Sequence, residues 1–250
     1  MLQIKNLTKT FAGYFLPLLN GIDLTLQEGD FCVVLGSNGS GKSTFLRSIA
    51  GETAIDAGSI LINGVDMTHA DKSKLIASVV QDSNQGTIAQ MTLFENIVLS
   101  LLRGKSGRFA LYRSYEEEIL SYLQDFTIDL RSYLHQPLSN LSGGQRQMVA
   151  TLMAIVSQPK ILLLDEHTSA LDPAAQKILM DYTTAAISKH KITSIMITHK
   201  LDDAIKYGNR LIMLHKGKIV FDVAGQQKKE LTSTQLLQLF HGYEDRELVA

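Results

Sequence analysis

Eight consecutive residues, Gly36-Ser37-Asn38-Gly39-Ser40-Gly41-Lys42-Ser43, follow the pattern G-x-x-x-x-G-K-[ST]. Glycines at this spacing let the main chain wrap an anion and turn its N–H groups inward, and a helix starting at the end of the loop adds its dipole. A lysine there reaches the outer phosphates of a polyphosphate, and the Ser43 hydroxyl offers an oxygen to Mg²⁺. Asp165 and Glu166 close the apolar run Ile161-Leu162-Leu163-Leu164, and 165 − 42 places the aspartate 123 residues beyond the lysine. A carboxylate at the end of a buried strand suits the same cation. Glu166, aimed differently from the strand end, is placed to polarise an attacking water.

Leu141-Ser142-Gly143-Gly144-Gln145 holds two signals at once. Ser142 and Gln145 form an S-x-x-Q capping box, which is a purely structural way to start the following helix. It does not explain the glycines, each of which costs up to about 1 kcal/mol against alanine inside a helix. Close backbone approach to a phosphate at a second helix N-terminus repays that cost. The loop at Gly36–Ser43 already serves the chain's own nucleotide, so this second anion site implies a nucleotide bound by another copy, in a head-to-tail dimer.

The elements that must position these residues are legible as buried strands alternating with helices. Phe31–Leu35, Ile161–Leu164, Ile192–Thr198 and Arg210–Leu214 are near-continuous apolar runs, as expected when helices cover both faces of a mostly parallel sheet. Helical segments follow at Ser43–Ala50, Pro173–Lys189 and Leu201–Tyr207, with Pro173 in a first helical turn. Leu2–Ile4, Ile22–Leu26 and Ile60–Ile62 are shorter, are ringed by turn signals, and predict a separate antiparallel layer. From Thr92 to Ser157 the pattern is mostly helical, with a basic cluster (Arg103, Lys105, Arg108, Arg113) ahead of Glu116-Glu117-Glu118 that reads as a solvated face. The fold class is α/β: a mostly parallel P-loop sheet, an antiparallel β layer and a helical insertion over about 83–157, all in one domain over 1–250.

Composition sets outer limits. The 250 residues are 45% hydrophobic and 20% charged, enough to bury a core and too apolar for a disordered chain. With 24 Lys+Arg against 25 Asp+Glu, the net charge of −1 argues against nucleic acid as the main partner. The N-terminal residues do not read as a signal peptide, and no apolar stretch approaches the roughly 18–20 residues a membrane span needs. The single cysteine, Cys32, lies inside an apolar strand and reads as a buried thiol, and the remaining histidines show no zinc-ligand spacing.

Leu141–Gln145 followed by Arg146-Gln147 resembles the signature of ATP-binding-cassette (ABC) ATPases, and nearly the whole chain matches that family's motifs in order. The resemblance implies ATP and Mg²⁺ as cofactors and Gly36–Ser43 with Thr44 as the nucleotide-binding loop. It implies Gln81, after Ser78-Val79-Val80, as the glutamine near Mg²⁺ and the membrane partner. Ser169-Ala170-Leu171-Asp172 resembles the loop that crosses the dimer interface, and His199, ending Ile195-Met196-Ile197-Thr198, the histidine that contacts the γ-phosphate. Phe11 resembles the aromatic that stacks on adenine, with Tyr14 as a substitute. One position departs from the family: His167 stands where most such ATPases have proline after the acidic pair.

That departure, with Thr198–Ala204, Tyr207–Met213 and Ile219–Val223, resembles a bacterial group of ATP-binding subunits from uptake systems. Those systems use a separate permease and a substrate-binding lipoprotein, and their cargo leans toward amino acids. The implied partners are a second copy of the chain, an integral-membrane permease and the lipoprotein, with no nucleic acid. The implied location is the cytoplasmic face of the cell membrane, held by the permease. Two alternatives share every phosphate-site motif: a soluble ABC ATPase of a scaffold complex of the iron–sulfur type, and an exporter subunit.

Overall fold

The computed structural model describes residues 1–82, 85–103, 115–124, 126 and 129–245. In chain order these form β1 (Leu2–Lys9), β2 (Leu19–Leu26), β3 (Phe31–Leu35), α1 (Lys42–Ala50), β4 (Ala57–Ile62), β5 (Val65–Asp66), β6 (Ile76–Val79), α2 (Leu93–Leu101) and α3 (Glu116–Leu123). There follow α4 (Gly143–Val156), β7 (Ile161–Asp165), α5 (Pro173–His190), β8 (Thr193–Ile197), α6 (Leu201–Lys206), β9 (Arg210–His215), β10 (Lys218–Ala224), α7 (Gly225–Lys229) and α8 (Ser233–Asp245). They group into two compact units, Met1–Lys72 with the chain from Thr193 onward, and Ser73–Ile192.

In the first unit, β1 pairs antiparallel with both β2 and β4, and β4 with β5, giving the order β2-β1-β4-β5. This is the antiparallel layer. Its strands run longer than their apolar cores because β1 is bulged. The register slips between Ile4 and Leu7, Asn6 has φ +48°, and a Cβ on Gly58 would lie 2.4 Å from the Lys5 and Asn6 carbonyl oxygens. Bulges of this kind break the clean alternation that marks a strand in sequence. The same unit holds β3 between β8 and β9, parallel to both, and the β9–β10 hairpin. Every residue of β3 and β8 is buried, the signature of central parallel strands covered on both faces.

The second unit pairs β6 with β7 in parallel, Ile76 opposite Ile161 and Val79 opposite Leu164. Its helical part closes on a core of Leu93, Phe94, Ile97, Ile119, Leu123, Met148, Val149, Leu152 and Leu179, all at most 2% exposed. Asn96, fully buried on α2, anchors the approach to that helix. Its Oδ1 accepts from Ile88 N at 2.8 Å, and its Nδ2 donates to the Ile88, Met91 and Thr92 carbonyls at 3.0–3.2 Å. α2 starts in a capping box between Thr92 and Glu95, and α5 starts with Asp172 accepting from Ala174 N and Ala175 N ahead of Pro173. Of the basic cluster, Arg103 donates to Ile76 O at 3.1 Å, whereas Lys105, Arg108 and Arg113 lie outside the described residues. Among the described residues, no helix is long and apolar enough to cross a membrane.

Candidate functional site

The glycine loop leaves the carboxyl end of β3 and runs straight into α1, the connection its motif requires. Gly39 and Gly41 hold φ of +80° and +100°, conformations that side-chain-bearing residues rarely adopt. Gly36 is glycine for contact as well. A Cβ there would lie 2.2 Å from Leu214 O and 2.6 Å from Ser40 Oγ. Lys42, 6% exposed, folds back over the loop and donates to Gly36 O and Ser37 O, both at 2.9 Å. The start of α1 has no side-chain cap, in contrast to the capped α2, α4 and α5. A helix start without a side-chain cap is the kind that receives an anion. Ser43 and Thr44 are half-buried in that first turn.

His199 belongs to the same unit. It is exposed two residues past the end of β8, whose register places Ile197 opposite Val34 of β3. The glycine loop and His199 therefore leave the carboxyl ends of two adjacent parallel strands, the edge where open α/β sheets bind ligands. Phe11 lies in the β1–β2 loop, 39% exposed, with the Lys9 ammonium 5.5 Å from its ring centroid. Lys9 pairs with Asp56 at 2.9 Å, which also accepts from Thr10 N and so fixes the base of this loop. Tyr14 is 72% exposed at its tip.

The second unit repeats the arrangement with its own pair of strands. Gln81 is exposed two residues past β6, and Asp165 ends the neighbouring β7, with Glu166 directly after it. Both acids are half-buried. Glu166 has φ +48°, a left-handed turn stabilised where its carbonyl accepts from Ser169 N at 3.0 Å and Ser169 Oγ at 2.9 Å. That turn sends the glutamate away from the line of β7. His167 is 2% exposed, its Nε2 has no hydrogen-bond partner among the described residues, and burial pushes its pKa down to about 4. It is a buried, neutral imidazole directly after the acidic pair in the chain.

The capping box at α4 is present: Ser142 Oγ accepts from Gln145 N at 3.2 Å and Gln145 Oε1 accepts from Ser142 N at 2.9 Å. The two glycines beside it differ. A Cβ on Gly144 would meet Leu171 Cδ2 at 3.2 Å, but one on Gly143 would have nothing within 4 Å. Packing within the chain thus does not demand glycine at 143. Gln147, one turn on and 3% exposed, donates from Nε2 to Val80 O at 3.0 Å and ties this helix to the residue preceding Gln81. Gln147 enters the sequence reading only as part of the signature, and Asn96 not at all, because a buried amide that grips main chain looks like any helical polar residue. Asn209, which accepts from Phe31 N at 2.8 Å and braces the start of β3, was equally silent.

A glycine loop at an uncapped helix start, beyond a buried parallel strand, is the architecture of P-loop nucleotide hydrolases. A model of the ABC transporter family matches residues 19–169. The chain is 38% identical over 247 residues to a tyrosine transport ATP-binding protein of Clostridioides difficile (strain R20291), covering 96% of itself and 98% of that protein. It is 36% identical over 222 residues to the sulfate/thiosulfate import ATP-binding protein CysA of Methylococcus capsulatus; this covers 87% of the chain but 61% of the longer relative. Among solved structures, a dimeric ATP-binding cassette in a post-hydrolysis state with ADP and Pi superposes with a TM-score of 0.78 at 28% identity, over 90% of this chain and 98% of that one. The chain belongs to the ABC transporter family as an ATP-binding, ATP-hydrolysing cassette.

Proposed function

We propose that this cassette powers uptake of a small solute, of the amino-acid class, through a membrane permease supplied by another protein. One observation carries the reading. The similarity to a tyrosine transport ATP-binding protein runs almost end to end in both chains, at 38% identity. The domain assignment belongs to the same proposal: one cassette over 1–250, with the helical segment about 83–157 as its insertion. So does the location, at the cytoplasmic face and peripheral through the permease.

Lys42 and the N–H groups of Gly36–Thr44 hold the phosphates of ATP, and Phe11 stacks on the base. Ser43, Asp165 and Gln81 are oxygen donors of the hard type that fits Mg²⁺, and Mg²⁺ bound with ATP neutralises charge on the β- and γ-phosphates. Glu166 orients the attacking water and accepts its proton. His199 donates to the γ-phosphate and steadies the charge that builds there. Ser142, Gly143, Gly144 and Gln145 of a second copy approach the same phosphate from the other side, which gives Gly143 a reason to be glycine. Catalysis is positioning plus charge stabilisation. Closing of two copies on two ATP molecules then pulls on a permease helix docked near Gln81 and the segment Met91–Leu102.

The test is to tag the chain in its host, solubilise membranes gently and identify what co-purifies. A polytopic permease together with a substrate-binding lipoprotein, and binding of tyrosine or a related amino acid by that lipoprotein, is the expected result. Recovery with scaffold proteins and no permease, or with an export permease and no lipoprotein, refutes the uptake reading.

A further inference from the structure

We infer that Gly217 is a positioning residue of the nucleotide site, the clasp that holds the phosphate loop and the base-side loop to one another. Lys216 and Gly217 form the two-residue turn between β9 and β10, with φ of +45° and +72° and His215 paired to Lys218. These are the angles of a type I′ hairpin turn, which by itself explains a glycine. It does not explain what the turn touches.

Gly217 N donates to Ser40 O, inside the phosphate loop, at 3.1 Å, and Gly217 O accepts from Asn20 N, at the start of β2, at 2.9 Å. Leu18 O lies against two glycines at once. A Cβ on Gly217 would be 2.2 Å from it, and a Cβ on Gly41 would be 3.0 Å from it and 2.8 Å from Leu19 Cδ2. Leu18 N in turn donates to Lys9 O at 2.8 Å and closes the loop that carries Phe11 and Tyr14. One residue therefore joins the middle of the phosphate loop to the root of the aromatic loop. The strand behind it makes the same kind of approach, since Leu214 O is what a Cβ on Gly36 would strike.

A side chain at 217 falls 1.2 Å short of ordinary van der Waals contact, which begins near 3.4 Å, and the atom it strikes is main chain. The turn, the phosphate loop or the β2 start has to yield by about that much. A displacement near 1 Å takes a loop N–H out of hydrogen-bond reach of a phosphate oxygen, and losing one such charge-assisted bond costs about tenfold or more in affinity.

The inference rests on Gly36–Ser43 being the phosphate loop, so Lys42→Ala serves as the control. Binding of ADP and of inorganic pyrophosphate is measured by titration calorimetry on the full chain, with unfolding midpoints recorded without nucleotide. Gly217→Ala is expected to weaken both ligands about tenfold or more while the nucleotide-free chain stays folded. Gly217→Asn separates the two roles of the residue. Asparagine tolerates the left-handed angles of the turn but still carries a Cβ, so it is expected to bind as poorly as alanine. Wild-type affinity in Gly217→Ala, with Lys42→Ala impaired, overturns the inference and leaves the phosphate loop standing. Recovery in Gly217→Asn also overturns it, in favour of turn conformation alone, as does failure of both variants to fold. An unimpaired Lys42→Ala removes the phosphate-loop reading itself.

Discussion

His167 offers a quantitative test of how the chain directly after the acidic pair is built. Its ring is 2% exposed, and burial lowers its pKa from 6.5 to about 4. The folded chain therefore keeps a neutral imidazole, while the unfolded chain takes up a proton as pH falls through 6.5. More protons bound by the unfolded state means that stability rises with pH between the two values and is lost on acidification. From these pKa values the contribution lost at pH 7 is about 0.2 kcal/mol, and at pH 5 about 2 kcal/mol. Leucine is close to histidine in volume and does not titrate. His167→Leu should be at least as stable as the wild type at pH 7, because it removes a buried nitrogen without a partner. It should exceed the wild type by a further ~2 kcal/mol at pH 5. Urea unfolding of both chains at pH 7, 6 and 5, without nucleotide or metal, gives the two curves, and all other acids contribute equally to each. Parallel curves would show that His167 titrates normally and that its burial as a neutral ring is wrong.

Asn96→Ala should cost about 1–3 kcal/mol in urea unfolding, because it removes a fully buried amide and its four main-chain bonds and takes from Ile88 N the acceptor it has in Asn96; a loss under 0.5 kcal/mol would contradict the anchoring role. Ser142→Ala should lose about 1 kcal/mol of stability with the N-cap, keep ADP binding, and lose turnover well beyond what that destabilisation explains. Full turnover would leave Ser142 as a cap and nothing more. Glu166→Gln should bind ATP and lose turnover by roughly 100-fold or more, with rapid phosphate release by that variant counting against the glutamate as base.

The central parallel strands were legible because burial on both faces leaves an unbroken apolar run, whereas β6, interrupted by exposed Ser78, was not assigned. Phe31–Leu35 matches β3 residue for residue, and Arg210–Leu214 falls one residue short of β9. The antiparallel layer was visible only as fragments. Leu2–Ile4 is the first part of a strand reaching Lys9, and the bulge at Asn6 interrupts its alternation. Helix starts were clear at Pro173, where Asp172 and the proline cooperate, and α7 (Gly225–Lys229) went unseen because five residues with no cap or periodicity carry no signal. The glycine loop could be read from spacing, since a phosphate dictates its residue types. What braces it could not, because Gly217 and Asn209 bond to main-chain atoms that any fold supplies.

Cys32, the one thiol in the chain, is the second residue of β3 and has no exposed surface, and burial raises its pKa to about 12. A thiol that is neither ionised nor reachable does not react with maleimides or iodoacetamide in the native state. The natural sequence is thereby a silent background for site-specific labelling. A cysteine introduced at exposed Glu28 or Lys189, away from the nucleotide site, would be the only one to take a fluorophore or spin label, with no need to alter β3. Distances between two labelled copies could then be followed through a round of ATP binding and hydrolysis.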